Sequence, residues 1–302
     1  MKLLLIRSGA LGDTLMLMPV IKALRDKFEI TVTGRKPGID FLKPFVHRCN
    51  DIERGGWYTL FTEDCEDNFI PVEPGTDHVA AFINDPENTV SRNLRKILPA
   101  AKVAVYSPFP ETGSHVHIAK YMACCLKKSG ISLDCQSAFE TSIKIPLMKR
   151  QNNPPSKVVL HPGSGSKTKN YPLEFWGELL RLFSVKKILP PERIFIMTGP
   201  DEEEITSGAS QMADRYGAGA VICPEKEDLL SILESTCVYI GHDSGVTHLA
   251  AMLGINTIAL FRGTSVEQWH PLGPFVKVIK QRAEVGITPG EVLKEANAIL
   301  NR

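Results

Sequence analysis

The 302-residue sequence has no C-x-x-C pair among its seven cysteines, at positions 49, 65, 124, 125, 135, 223 and 237. Such an odd, irregularly spaced set fits reduced thiols better than a disulfide framework. No run approaches the ~20 apolar residues that a membrane-spanning helix requires. The opening MKLLLI is interrupted by Arg7 and Asp13, with no cleavage site behind it, and does not read as a signal peptide. Charge of either sign is not in excess, with 35 basic against 34 acidic residues, so nothing points to a nucleic-acid partner. The expectation is a cytoplasmic protein, at most peripheral on the inner face of the membrane. Two glycine signatures are also incomplete. RSGALGD, residues 7–13, has Gly9 and Gly12 but not the third glycine of G-x-G-x-x-G. HPGSGSKTKNYP, residues 161–172, carries His161 and Ser166 where a P-loop ending on Lys167 and Thr168 requires glycine. An ordinary dinucleotide fingerprint and a Walker-type loop are therefore excluded.

What is present is a repeated alternation. Short continuous apolar runs begin near residues 2, 29, 78 and 102, then near 157, 193, 220, 237, 256 and 276. Runs of this kind read as strands buried on both faces of a sheet. Helix-period stretches such as LEFWGELLRLF, KEDLLSILEST and GVTHLAAMLG lie between them, the last stopped by Gly254. Alternating strand and helix predicts α/β domains with doubly wound parallel sheets. The polar, proline-rich KRQNNPPSK, residues 149–157, divides the chain into domains 1–150 and 151–302, with the final helix free to pack back on the first. Residues 53–77 are rich in glycine, proline and acid and predict a long loop. Two such domains would place the carboxyl ends of both sheets on a central cleft suited to two substrates.

Four stretches carry candidate chemistry. Asp13 ends the turn after the first strand, where a carboxylate serves either as helix cap or as a working base facing the cleft. Pro19, inside the following helical stretch, marks a kink or the first turn of the main helix. The loop after the strand at 157 offers glycine, serine and lysine, among them Ser166 and Lys169, to an anion, or is a solvated basic turn. CVYIGHDSGVTHLAAMLG is a strand, a tight turn and an apolar helix, so the amides of Ser244, Gly245 and Val246 make an anion site at a helix entrance. Asp243 reads there as a cap or as a ligand-binding acid, and His248 as a packed or a functional residue. The acids of TGPDEEE, residues 198–204, suit a ribose diol or simply the first turn of a helix. His115 and His117 fall two apart on a predicted helix, which points them away from each other and from any shared metal.

The motifs LLLIRSGALGDTLMLMPVIKALR, HPGSGSKTKNYPLEFWGELL, TGPDEEE and YIGHDSGVTHLAAMLGINTIALF resemble, in order and spacing, those of the ADP-heptose:lipopolysaccharide heptosyltransferases, glycosyltransferase family 9. The resemblance implies the glycosyltransferase B fold, two Rossmann-like domains with acceptor on the first and nucleotide sugar on the second. It implies an inverting reaction with no metal and no cofactor, the ADP-sugar being a substrate and a lipid-anchored saccharide the acceptor. By motif, Asp13 becomes the general base, set by the turn of Arg7, Gly9 and Gly12. Lys169 faces the diphosphate beside Ser166, Glu202 takes the ribose hydroxyls, and Asp243, Ser244, Gly245, Val246 and His248 surround the diphosphate and sugar. The chain departs from the pattern in three places: Tyr171 replaces the tryptophan of K-x-W-P, His242 precedes the aspartate where a smaller or amide residue is common, and Arg262 stands where F-G-P-T has glycine. A sugar-nucleotide epimerase or hydrolase of the same architecture, and an idle nucleotide-sugar-binding protein, are the competing readings.

Overall fold

The computed structural model describes residues 1–63, 71–150, 155–282 and 286–301. It divides into two compact units, Met1–Thr141 and Ser142–Arg302. The division precedes position 150 because the connecting residues already belong to the second unit. Leu147 and Met148 are buried, the Met148 amide donates to the Met252 carbonyl at 2.9 Å, and Arg150 donates to the carbonyls of Glu234 and Thr236. Of the stretch 149–157, residues 151–154 lie outside the described residues.

The first unit has strands β1 (Lys2–Arg7), β2 (Glu29–Gly34), β3 (Arg48–Asp51), β4 (His78–Phe82) and β5 (Lys102–Tyr106) in the order β3-β2-β1-β4-β5. Every pairing is parallel. Its helices are α1 (Leu11–Leu15), α2 (Met18–Leu24), α3 (Gly38–Leu42), α4 (Thr89–Ile97), α5 (Ile118–Lys128) and α6 (Cys135–Lys144), the last running across the unit boundary. Pro19 lies in the first turn of α2, where its missing N–H costs nothing, so it marks the start of the main helix. His117 is the N-cap of α5, its Nδ1 accepting from the Ala119 amide, and His115 precedes the helix, so the expected pair does not sit on it. Within 53–77 the loop expectation needs amending, because Trp57–Phe61 forms a 3-10 helix that buries Trp57 and Leu60 against the β1–β4 side of the core; residues 64–70 lie outside the described residues.

The second unit has β6 (Lys157–His161), β7 (Ile194–Thr198), β8 (Gly219–Ile222), β9 (Thr236–His242), β10 (Asn256–Phe261) and β11 (Val276–Lys280), all parallel, ordered β11-β10-β9-β6-β7-β8. The helices are α7 (Leu173–Val185), α8 (Glu203–Tyr216), α9 (Lys226–Glu234), α10 (Gly245–Met252), α11 (Val266–Trp269) and α12 (Pro289–Leu300). The closing helix α12 adds Val292, Leu293 and Ala296 to this unit's own core, beside Trp176 and Leu180 of α7. Gly254 ends α10 at φ +72°, a left-handed stop that costs glycine little. Each sheet is wound outward in both directions from its first strand, which places a switch point between β1 and β4 in one unit and between β6 and β9 in the other. Ligands of doubly wound sheets bind at such points, outside the carboxyl ends of the strands. Described cysteines are free thiols, Cys65 lying outside that set, and no helix among the described residues is long and apolar enough to cross a membrane.

Candidate active site

In the first unit the turn after β1 leads directly into α1. Ala10 is the N-cap and Asp13 the third helical residue, so Asp13 is not the cap itself. Its Oδ2 reaches back to accept the Ala10 amide at 3.1 Å, satisfying a donor that alanine's own side chain could not reciprocate. Its Oδ1 accepts from Arg7 Nη2 at 3.0 Å, while Arg7 Nε bonds the Asp13 carbonyl and Nη1 the Pro108 carbonyl. Arg7 is 1% exposed and Asp13 20%, so a buried guanidinium anchors a carboxylate whose edge reaches solvent. Burial pushes the Arg7 guanidinium down from its ordinary value, opposed by the charge of Asp13. Gly9 makes this possible, since a Cβ there would stand 2.3 Å from that of Asp13. Gly12 lies within α1, its carbonyl accepting the Met16 amide.

In the second unit four loops meet at one sheet edge because β10, β9, β6 and β7 are neighbours in register. Gly241 pairs with His161 and His242 with Leu260, so residues 162–172, 199–202, 243–244 and 262–265 all leave from the same level. Lys169 Nζ donates to Asp243 Oδ2 at 2.8 Å, and His248 Nε2 stands 3.4 Å from Asp243 Oδ1. Burial pushes the Asp243 carboxyl up, but His248 and Lys169 outweigh it and bring the group to about 2. The cap of α10 is Ser244, whose hydroxyl accepts the Thr247 amide, and not Asp243. The amides of Gly245 and Val246, first in the helix, have no acceptor within it and point outward with the positive end of the dipole. His248 is 2% exposed, packed near Trp269 as well as turned to Asp243. Ser166 caps the 3-10 turn Lys167–Lys169 and shares a hydrogen bond with Thr168.

Glu202 is buried, and its carboxylate accepts from the Gly199 amide at 2.9 Å and from His161 Nε2 at 3.0 Å. Burial raises its pKa, yet the His161 bond and charge and the Gly199 amide hold it below the ordinary carboxylate range. Gly163 is packed against it, a Cβ there falling 1.9 Å from Glu202 Cδ. His161 Nε2 faces the carboxylate, and its Nδ1 shares a 2.7 Å hydrogen bond with Tyr239 Oη. Thr247 Oγ1 donates to the His242 carbonyl and so receives the Ser244 hydroxyl at 3.0 Å. Glu202 borders a pocket of about 380 Å³ with Ser164, Lys167, Asn170 and Asp201. His242, fully buried, accepts the Tyr171 amide at Nε2 (2.9 Å); burial and the nearby His161 push its pKa down to about 3.

The sequence motifs thus converge within each unit: Arg7, Gly9 and Asp13 in the first, Lys169, Asp243, Ser244, Gly245 and His248 in the second, with Glu202 on the neighbouring pocket. Sequence reasoning missed His161 and Tyr239, which tie Glu202 to the strands. Their signal was polarity: His161 ends a strand after the apolar Val158, Val159 and Leu160, and Tyr239 sits between Val238 and Ile240. Glu29, His47 and Glu73 are close enough in the first unit to share an ion, but Glu73 already pairs with Lys2 and Arg48.

The glycosyltransferase family 9 (heptosyltransferase) model matches residues 105–289. No curated protein matches the sequence. Among solved structures, a glycosyl transferase family 9 protein from Veillonella parvula is similar at TM-score 0.70 and 15% identity, covering 99% of this chain and 97% of its own. E. coli heptosyltransferase WaaC with ADP follows at TM-score 0.67 and 16% identity, covering 99% and 100%. E. coli ADP-heptose lps heptosyltransferase II is similar at TM-score 0.67 and 17% identity, covering 100% and 99%. At these identities the likeness establishes the fold, two Rossmann-like parallel-sheet domains of glycosyltransferase B type.

Proposed function

The chain belongs to glycosyltransferase family 9, the heptosyltransferases, and on that premise we propose an inverting, metal-independent transfer of heptose or a related sugar from ADP-heptose to a lipopolysaccharide-core or similar saccharide. The observation that carries this reading is the second unit's juxtaposition of Lys169, Asp243 and the first amides of α10 with the pocket at Glu202. Cation and amides suit a diphosphate, and a clamped carboxylate suits a ribose diol. The E. coli protein WaaC was solved with ADP and with ADP-2-deoxy-2-fluoro heptose, which supports ADP as the nucleotide here.

In the proposed reaction Asp13 takes the proton of an acceptor hydroxyl as that oxygen bonds the anomeric carbon. The bond from that carbon to the diphosphate breaks on the opposite face, inverting the centre and releasing ADP. Arg7 and the Ala10 amide keep the base in one orientation, so little reorganisation accompanies proton transfer. Lys169, steadied by Asp243, and the Gly245 and Val246 amides stabilise charge growing on the leaving diphosphate. The acceptor would be a lipid-anchored saccharide met at the inner face of the cytoplasmic membrane.

Calorimetric titration with ADP, UDP and GDP tests the donor: ADP should bind most tightly, and a preference for another base would overturn the ADP reading. Asp13→Asn should leave ADP affinity unchanged and lower transfer by at least about 10²-fold, the scale of a general base. Retained transfer would reduce Asp13 to a helix-terminus residue, and donor consumption independent of acceptor would replace transfer with hydrolysis or epimerisation.

A further inference from the structure

The three positions at which the second unit departs from its family's pattern meet at Tyr171, which touches both His242 and Arg262. The Tyr171 ring stacks on His242, with centroids 5.9 Å apart and planes at 17°, and its amide donates to His242 Nε2. The Arg262 guanidinium lies over the same tyrosine ring, 5.4 Å from its centroid. Arg262 Nη1 also donates to the carbonyl of Asn170 at 2.7 Å, the residue after Lys169. Since Leu260 pairs with His242, Arg262 leaves β10 level with Ser244, the cap of α10. The tyrosine Oη faces the other way, donating to Gln281 and accepting the Ile287 amide, so the ring is pinned at both ends as a platform.

Charge accounting gives this stack a purpose. Lys169 is matched by Asp243 and Lys167 by Glu204, while Glu202 adds a further buried negative charge. Without another cation the site is net negative where a diphosphate must bind. Arg262 has no carboxylate partner among the described residues, and its single bond to Asn170 leaves most of its five N–H donors uncommitted. We propose that Arg262 is a second cation for the donor diphosphate, held over Tyr171 and tied to the Lys169 loop so that both cations address the same group. Its fork can take two phosphate oxygens where an ammonium presents a point charge. This deepens the donor-site reading given above and rests on it.

The test is calorimetry with ADP and AMP on wild type, Arg262→Gln, Arg262→Lys and Lys169→Ala, with a thermal melt of each. Wild type should bind ADP more tightly than AMP. Arg262→Gln should weaken ADP by about tenfold or more, as expected for a charge-assisted contact, and AMP far less, collapsing the preference. Arg262→Lys should restore part of it. Equal weakening of ADP and AMP with a lowered melting temperature would make Arg262 a loop strut, and an unchanged ADP/AMP ratio in Arg262→Gln alone, with the ratio collapsed in Lys169→Ala, would remove Arg262 while leaving the diphosphate site intact. A wild type with no preference for ADP would remove that site and the proposal together.

Discussion

His242 should make the second unit acid-sensitive by an amount that can be worked out. Its ring is fully buried, accepts the Tyr171 amide at Nε2, and is held neutral by burial and the nearby His161, with a pKa of about 3 against the ordinary 6.5. In the unfolded chain the ring takes up a proton below about pH 6.5 that the folded chain refuses. The unfolded state then binds more protons, so stability is full above pH 6.5 and falls as pH drops from 6.5 toward 3. The slope from this one group is about 1.4 kcal/mol per pH unit, or roughly 2 kcal/mol lost by pH 5. His242→Gln can place an amide oxygen where Nε2 accepts the Tyr171 amide, and it removes the titration. Urea unfolding followed by tryptophan fluorescence, to which Trp176 (ring centroid 5.3 Å from that of His242) and Trp269 contribute from the second unit and Trp57 from the first, is run at pH 7, 6 and 5. The variant should be less stable at pH 7 and close the gap by roughly 2 kcal/mol at pH 5. Parallel pH curves for the two proteins would refute the assignment of a buried neutral histidine.

Three further perturbations follow from close contacts. Gly9→Ala places a Cβ 2.3 Å from that of Asp13 and must displace the carboxylate from the Ala10 amide. Transfer should fall by about 10²-fold with ADP affinity kept, and normal turnover would show that Asp13 orientation is irrelevant. Gly163→Ala drives a Cβ to 1.9 Å from Glu202 Cδ, and ADP binding should weaken about tenfold in calorimetry while 2′-deoxy-ADP changes less; equal losses would argue against a ribose contact. Tyr239→Phe leaves His161 Nδ1 buried without its hydrogen-bond partner, which should cost about 1–3 kcal/mol in denaturant unfolding. No loss there would mean that the histidine finds another partner.

Ten of the eleven strands among the described residues were legible because continuous apolar runs have few alternatives to a sheet covered on both faces. The missing one, β3, reads Arg-Cys-Asn-Asp at the sheet edge, where pairing to β2 does not need an apolar pattern. The 3-10 helix at Trp57 was hidden for a related reason: one large buried side chain anchors it, and one residue has no period. The turn at 7–13 was readable as a strand-to-helix junction ending on a carboxylate, and the stretch at 244 as a second strand-to-helix turn. The assignment of caps was not, because Asp13 and Asp243 both look like caps and their neighbours Ala10 and Ser244 occupy the position instead.

The alternation of strands and helices, the doubly wound class and the family are written in the chain, since these depend on periodicity and on short local spacings. Partnerships are a product of the fold. It set Asp243 between Lys169 and His248, clamped Glu202 against His161 and Gly163, and gathered Tyr171, His242 and Arg262 into one stack. Those contacts join residues separated by tens of positions, and their energies depend on burial and on which strands become neighbours, properties that exist only once the chain has closed its sheets.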